Sequence, residues 1–205
     1  IKTHITMLII LLLYCFSHWN FNKEDLCHCR IIKINNSKIK ILKYPPLSTY
    51  IIGFDFRVNE SHGFPDGKNP TADLRVRKAF YHAINISPLI EGPFEGYAIP
   101  ASQLLTPYIF GYNPNIKRLA YNISLAKELL TEARYENGFE IVLDCITIGY
   151  DYNDLNVKLI KEQLSKIGVD VKLNKLSTDE FIEKVVYNQN TSLWLIGWGT
   201  PSFDG

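Results

Sequence analysis

The sequence is short of net charge, of cysteine and of long apolar runs, and each shortage narrows what the chain can be. Lys and Arg number 22 against 21 Asp and Glu, a net charge of +1. That balance leaves no electrostatic footprint for nucleic acid or an acidic membrane surface. The cysteines number four in 205 residues. Cys15 and Cys145 sit among apolar residues and read as small buried hydrophobes. Cys27 and Cys29 flank His28 too tightly for the usual zinc spacing, and no second half-site follows. Neither a disulfide framework nor a metal site is expected. The longest apolar run, MLIILLLYCF from Met7 to Phe16, is too short to span a bilayer. It has the length of a signal-peptide core, yet no small-residue cleavage site follows it. Three readings stand for it: a signal or anchor, a buried helix, or foreign sequence joined to a domain.

Catalytic motifs are also missing. There is no G-x-S-x-G elbow, no H-E-x-x-H and no phosphate-cradling glycine loop. Asp144 and Asp151 offer a conceivable carboxylate pair. However, Asp144 is expected to alternate outward from its strand, and no base or nucleophile accompanies it. The chain reads as neither an enzyme nor a holder of cofactors.

What is present is a folded-domain composition, 46% apolar and 21% charged. Aromatics reach 13%, with 12 tyrosines, which suits a binding surface as well as a core. IKILKY (Ile39 to Tyr44) and STYIIGFDF (Ser48 to Phe56) read as strands, and residues 57–70 as a loop. A helix follows Asp73 as N-cap, with Val76, Ala79, Phe80, Ala83 and Ile84 on one face. Arg75, Lys78 and His82 lie away from that face, His82 in solvent. A long irregular region spans 95–121, and its aromatics are expected to pack down, Tyr97 and Tyr112 included.

The remaining residues are the most regular. Asn122 caps a helix with Leu125, Leu129, Leu130 and Ala133 on one face. Asn137-Gly138 turns into FEIVLDCI, with Phe139, Ile141, Leu143 and Cys145 inward. A helix closed by Gly168 leads to VDVKLNK, and a capping box from Ser177 to Glu180 opens one more helix. The last strand, SLWLIGW, reads as buried on both faces. Strand–helix–strand–helix–strand with such connections favours parallel strands, the last one central. The fold class is therefore α/β, a parallel or mixed sheet flanked by helices. Gly-Trp-Gly emerges at a strand's carboxyl end, where open α/β sheets bind ligands.

The motifs RVRKAF, the GYA-P turn, LAKELLTEA, QLSKIGVDV and GWG occur here in one order. In that order the chain resembles, over about residues 38–205, the extracytoplasmic solute-binding proteins of dipeptide, oligopeptide and nickel ABC importers (family 5). The resemblance implies two lobes closing on a ligand. Residues 38–57 would hold the end of the first lobe and the hinge strand. Residues 58–205 would be the second lobe, truncated at the ligand-facing loop, and residues 1–37 stay unassigned. On this expectation most of the first lobe and the C-terminal part of the family pattern are absent, and the N-terminal run is not an authentic signal.

The resemblance also implies a small peptide or related solute as ligand, permease subunits as partners, no nucleic acid, and an extracytoplasmic location. It points to Gly197, Trp198, Gly199, Thr200, Ser202 and Asp204 as substrate-binding. The glycines would let backbone approach an extended ligand. Trp198 would form an apolar wall, its alternative role being a cap on the core. Where the family often has an acidic residue to hold the peptide amino group, this chain has Pro201, with Asp204 the nearest acid. Two alternatives remain open: a non-functional truncated remnant, or a ligand-sensing lobe of a regulatory protein. The latter would carry a helix-turn-helix ahead of it, and residues 1–38 show none.

Overall fold

The computed structural model describes residues 9–15, 48–55, 57, 68–146 and 151–199. The strand expected at Ile39–Tyr44, most of the 57–70 loop, and Thr200, Ser202 and Asp204 lie outside the described residues.

Local signals set most of the elements. A turn of 3-10 helix at Pro70–Ala72 leads into α1, Leu74–Ala83, where the Asp73 carboxylate accepts from Arg75 N at 2.8 Å. Val76, Ala79, Phe80 and Ala83 are its buried face. α2 is the single turn Ser87–Glu91. α3, Ile123–Glu132, is capped by Asn122 Oδ1 accepting from Leu125 N at 3.0 Å. α4 spans Asp151–Ser165. α5, Thr178–Phe181, opens on a complete capping box between Ser177 and Glu180. It then widens into a π-helical stretch, Ile182–Tyr187, where one regular helix was expected. Within it Asn188 N donates to Glu183 O at 2.9 Å, five residues back.

The strands are β1 Ile9–Cys15, β2 Ser48–Phe54, β3 Ile99–Pro100, β4 Phe139–Ile146, β5 Val169–Leu176 and β6 Leu193–Gly199. They form one mixed sheet in the order β3-β1-β2-β6-β4-β5. β4 runs parallel to both β5 and β6, as the strand–helix alternation predicts, and β6 is interior. β2 pairs antiparallel with β6 over seven residues, Ser48↔Gly199 to Phe54↔Leu193. The N-terminal apolar run contributes β1, antiparallel to β2, so a strand stands where a buried helix was one expectation. Beneath the paired starts of β4 and β5, Gly138 (φ +74) and Gly168 (φ +84) meet back to back. A Cβ on Gly138 would fall 1.9 Å from Gly168 O, so only glycine fits that crossing.

One sheet face carries the main core. Tyr50, Ile52, Phe54, Ile141, Leu143, Cys145, Val169, Val171, Leu193 and Leu195 pack under α1, α3 and α4. Phe80 of α1 lies edge-on to Phe54 (5.6 Å) and stacked on Phe139 (6.2 Å), so three elements meet at one ring. The opposite face is thinner. Ile51 and Ala101 are its buried pair, with Leu104, Trp194 and Ile196 partly covered. From Leu193 to Ile196 β6 is thus buried on one face and half-buried on the other, and Gly197 to Gly199 are exposed, which corrects the expectation of two buried faces.

The 101–121 loop is tied down by its polar groups and small residues rather than by all its aromatics. Gln103 exchanges two hydrogen bonds with the Asn113 backbone (2.7 and 3.0 Å). The Arg118 guanidinium lies over the Tyr81 ring at 4.7 Å and donates to Ala101 O at 3.2 Å. Ala101, Thr106 and Ile109 are buried, and Tyr97 and Tyr112 are half-buried. Tyr108, Phe110 and Tyr121 are exposed, against the expectation that the loop aromatics pack down. Among the described residues no helix is long and apolar enough to cross a membrane.

Candidate functional site

The carboxyl end of β6 combines three things: an exposed indole, two glycines and a strand edge that has no neighbour among the described residues. The edge follows from register. Asp55 N donates to Ser192 O at 2.9 Å, and these residues are opposite each other in the β2–β6 ladder. Antiparallel ladders alternate bonded and non-bonded pairs. The bonded pairs are therefore Gly53/Trp194, Ile51/Ile196 and Thr49/Trp198. The N–H and C=O groups of Leu193, Leu195, Gly197 and Gly199 must point the other way, toward β4. There the pairing runs only from Leu143↔Leu193 to Cys145↔Leu195. Among the described residues no strand lies beside β6 beyond Leu195 on that side. Among the described residues, the backbone donors and acceptors of Gly197 and Gly199 on that side thus have no strand partner, and these residues carry no side chains of their own in the way.

Side chains frame this edge from both faces. On the main-core face Tyr50, opposite Gly197, leans over it, so that a Cβ on Gly197 would lie 3.3 Å from the ring. Tyr50 is itself held edge-on by Phe94 at 5.3 Å. On the other face Trp198 follows Trp194 and Ile196 by strand alternation. Trp198 is 50% exposed, so it does not seal the core. Its cross-strand neighbour Thr49 is fully buried and donates through Oγ1 to Leu104 O at 2.8 Å, pinning the 101–105 segment to this end of the sheet. Of the six residues expected to contact substrate, the structure gathers Gly197, Trp198 and Gly199 here. Thr200, Ser202 and Asp204 lie outside the described residues.

Asp144 is the largest departure from the sequence reading. It is expected to alternate outward from its strand, and it does leave the main core, but it is 0% exposed. Its Oδ1 accepts from Asn174 Nδ2 and from Lys184 Nζ, each at 2.5 Å, and its Oδ2 accepts from Thr191 Oγ1 at 2.6 Å. The carboxylate is thus held by three donors inside the protein. The side chain of Asp151 lies outside the described residues. Sequence spacing gave no sign of this cluster, because its members come from β4, β5, the π-helical stretch and the residue pair before β6. His82 is likewise half-buried rather than solvated, its Nδ1 lying 2.7 Å from Ala120 O.

The Cys145 thiol faces the main core, as expected of a small hydrophobe. Burial, with a lesser push from the Asp144 charge, raises its pKa to about 12. The thiolate is the reactive form, so this sulfur should be inert in the folded chain. In a variant with Cys15, Cys27 and Cys29 replaced by serine, a disulfide reagent at pH 8 should label Cys145 only after denaturant is added. Fast native-state labelling would contradict this placement. The linked effect has a definite sign. A thiol that keeps its proton to higher pH when folded supports the fold fully below the unfolded pKa near 9, and that support is lost as pH rises toward about 12. Among the described residues no three His, Cys, Asp or Glu side chains gather as a metal ion would require, and Cys27, His28 and Cys29 lie outside them.

The geometry is a mixed α/β sheet in which, among the described residues, the carboxyl end of β6 extends past its last β4 partner and carries the half-exposed Trp198. The profile of bacterial extracellular solute-binding proteins, family 5 (middle region), matches residues 31–205. The chain belongs to that family.

The dipeptide-binding protein of Escherichia coli K12 is 26% identical over 182 residues, covering 82% of this chain and 34% of its own. Di/tripeptide-binding protein 1 of Pseudomonas aeruginosa is 31% identical over 139 residues, covering 66% of this chain and 26% of its own. Among solved structures, the Helicobacter pylori ABC transporter-associated periplasmic binding protein DppA, in complex with the peptide STSA, superposes with a TM-score of 0.60 at 31% identity. That superposition covers 67% of this chain and 26% of the other. The Pseudoalteromonas dipeptide-binding protein in complex with Met-Leu gives 0.60 at 28% identity, covering 68% and 28%. The chain spans about a quarter to a third of the length of these relatives.

Proposed function

We propose that this chain supplies one wall of the solute site of an ABC importer's extracytoplasmic binding protein. The ligand is a short peptide or a related extended solute, lying along the open edge of β6 in a cleft between two lobes before transfer to the permease. The observation that carries this is the backbone of Gly197 and Gly199, directed off the sheet past the last β4 partner and flanked by the exposed Trp198. An extended peptide can add to such an edge through main-chain hydrogen bonds, which are indifferent to sequence. The indole then covers apolar parts of the ligand. Relatives named for dipeptide and di/tripeptide binding, and structures holding STSA and Met-Leu, support a peptide. Asp204 is the candidate to hold the ligand's amino group.

Titration calorimetry of the chain with di- and tripeptides tests the assignment. Trp198→Ala removes a half-exposed side chain, so the melting temperature should stay within about 2 °C while peptide affinity falls by roughly tenfold, as loss of about half an aromatic's burial implies. Unchanged affinity in Trp198→Ala, or no peptide binding by the unaltered chain, would overturn the proposal.

A further inference from the structure

The 101–112 loop sits on the same sheet face as Trp198, and its tip carries two aromatic side chains in solvent. Its base is fixed there by Ala101 and Leu104, which pack with Ile51, Trp194 and Ile196. Trp194 and Ile196 precede Trp198 on that face of β6. The Leu104 carbonyl accepts from Thr49 Oγ1, directly across from Trp198. Leu105 in turn supports the tip. A Cβ on Gly111 would meet Leu105 Cδ1 at 3.1 Å, so the turn before Gly111 (φ +92) lies closed against Leu105. Beneath it Ile109 is buried and its N–H bonds back to Thr106 O at 3.0 Å, which fixes the turn from inside. On this supported turn Phe110 is 82% exposed and Tyr108 59%. Single exposed aromatics are ordinary, but two on one braced turn, whose base is rooted on the face that carries the exposed Trp198, form a clustered apolar patch of the kind that marks binding surfaces.

We infer that Tyr108 and Phe110 form a second wall of the Trp198 site and select ligands that carry an apolar, preferably aromatic, side chain. The inference rests on the peptide-edge reading above. The division of labour is physical. The glycine edge of β6 takes any peptide backbone, so it cannot discriminate between side chains. Discrimination needs apolar surface for a ligand side chain, and the loop tip is exposed aromatic surface rooted on the Trp198 face, where tyrosine and phenylalanine act at low entropic cost because they have only two χ angles to fix. Neither residue has a core role, so neither is accounted for by packing.

Two tripeptides separate the possibilities: Gly-Phe-Gly and triglycine, titrated into the unaltered chain and into a Tyr108→Ala/Phe110→Ala variant. The unaltered chain should prefer Gly-Phe-Gly by about tenfold or more, the order expected from burying much of one benzyl group. The double variant should lose most of that preference, bind triglycine within about twofold of the unaltered chain, and melt within about 2 °C of it. If the preference survives the double substitution, or if both tripeptides weaken equally, the loop-tip assignment is wrong while the β6 edge stands. If neither tripeptide nor any dipeptide binds the unaltered chain, the edge reading fails and takes this one with it. Phe110→Leu should retain part of the preference, which a role confined to loop folding would not produce in a binding ratio.

Discussion

Replacing Asp144 with alanine should cost about 3 kcal/mol of stability, the most damaging single change expected here outside the aromatic core. Removing the carboxylate leaves the Asn174 amide, the Thr191 hydroxyl and the Lys184 ammonium without their acceptor. Two of these are neutral donors, Thr191 buried and Asn174 half-buried, and an unsatisfied buried group carries a desolvation penalty of about 1–3 kcal/mol. The Lys184 side chain, 30% exposed, can swing toward water, and that keeps the total near the lower end for a broken buried pair. The effect should spread beyond the site. Thr191 leads into β6 and Lys184 sits in the π-helical stretch, so both elements lose an anchor to β4. Urea unfolding of Asp144→Ala and of Lys184→Met, read by circular dichroism, gives the two single costs. The Asp144→Leu/Lys184→Met pair should recover part of the loss, since a buried ion pair exchanged for apolar residues is often neutral. A midpoint for Asp144→Ala equivalent to under about 1 kcal/mol would show that the cluster does not hold the sheet together.

Gly53→Ala should destabilise by roughly 2 kcal/mol and Gly53→Val by more, the reverse of what strand propensity suggests. A Cβ on Gly53 would lie 2.1 Å from Trp194 Cε2 and Cζ2, because the indole lies flat across the glycine on the neighbouring strand. Nothing nearby can yield cheaply. Trp194 is held by Leu104, Ile196 and Ile51, so the whole ring would have to leave that cluster. Two readouts belong together: the unfolding free energy, and the emission of Trp194, which should shift to the red as the ring enters water. In a Trp194→Ala background the same Gly53→Ala change should be close to neutral. If Gly53→Ala costs as much there as in the parent, the clash is not the cause. Displacing Trp194 also removes the floor on which the 101–105 segment rests. Peptide selectivity should therefore fall in Gly53→Val even though residue 53 is remote from Trp198 along the strand.

Asp144 and Gly53 occupy one row across the sheet, Asn174–Asp144–Trp194–Gly53, and the contacts along that row are not legible in the sequence. The sequence pattern places each of its members on its strand, but not against its partner, because the contacts of Asp144 join residues 30 to 47 positions apart. Alternation places Asp144 off the main-core face, but only the arrival of α5 and the residues before β6 turns that position from solvent to interior. The exposed tip at Phe110 failed in the opposite direction. An aromatic-rich loop is expected to pack, and this one packs through Ala101, Thr106 and Ile109 while two aromatics stay outside.

The sequence by itself determined the caps at Asp73, Asn122 and Ser177, the turn glycines at 138 and 168, the buried stripe of α1 and the parallel order of β4, β5 and β6. It also carried the family resemblance. These are matters of neighbours within four residues, or of period and order, and such information is local by nature. Only the tertiary structure decided that, among the described residues, β6 pairs with β4 no further than Leu195 and leaves Gly197 and Gly199 without a strand partner on that side. It alone decided that Trp198 stands half in solvent, that Trp194 covers Gly53, and that Asp144 is enclosed. Those outcomes depend on relative strand lengths and on which distant segment lands on the sheet's second face, quantities that no short window of sequence contains.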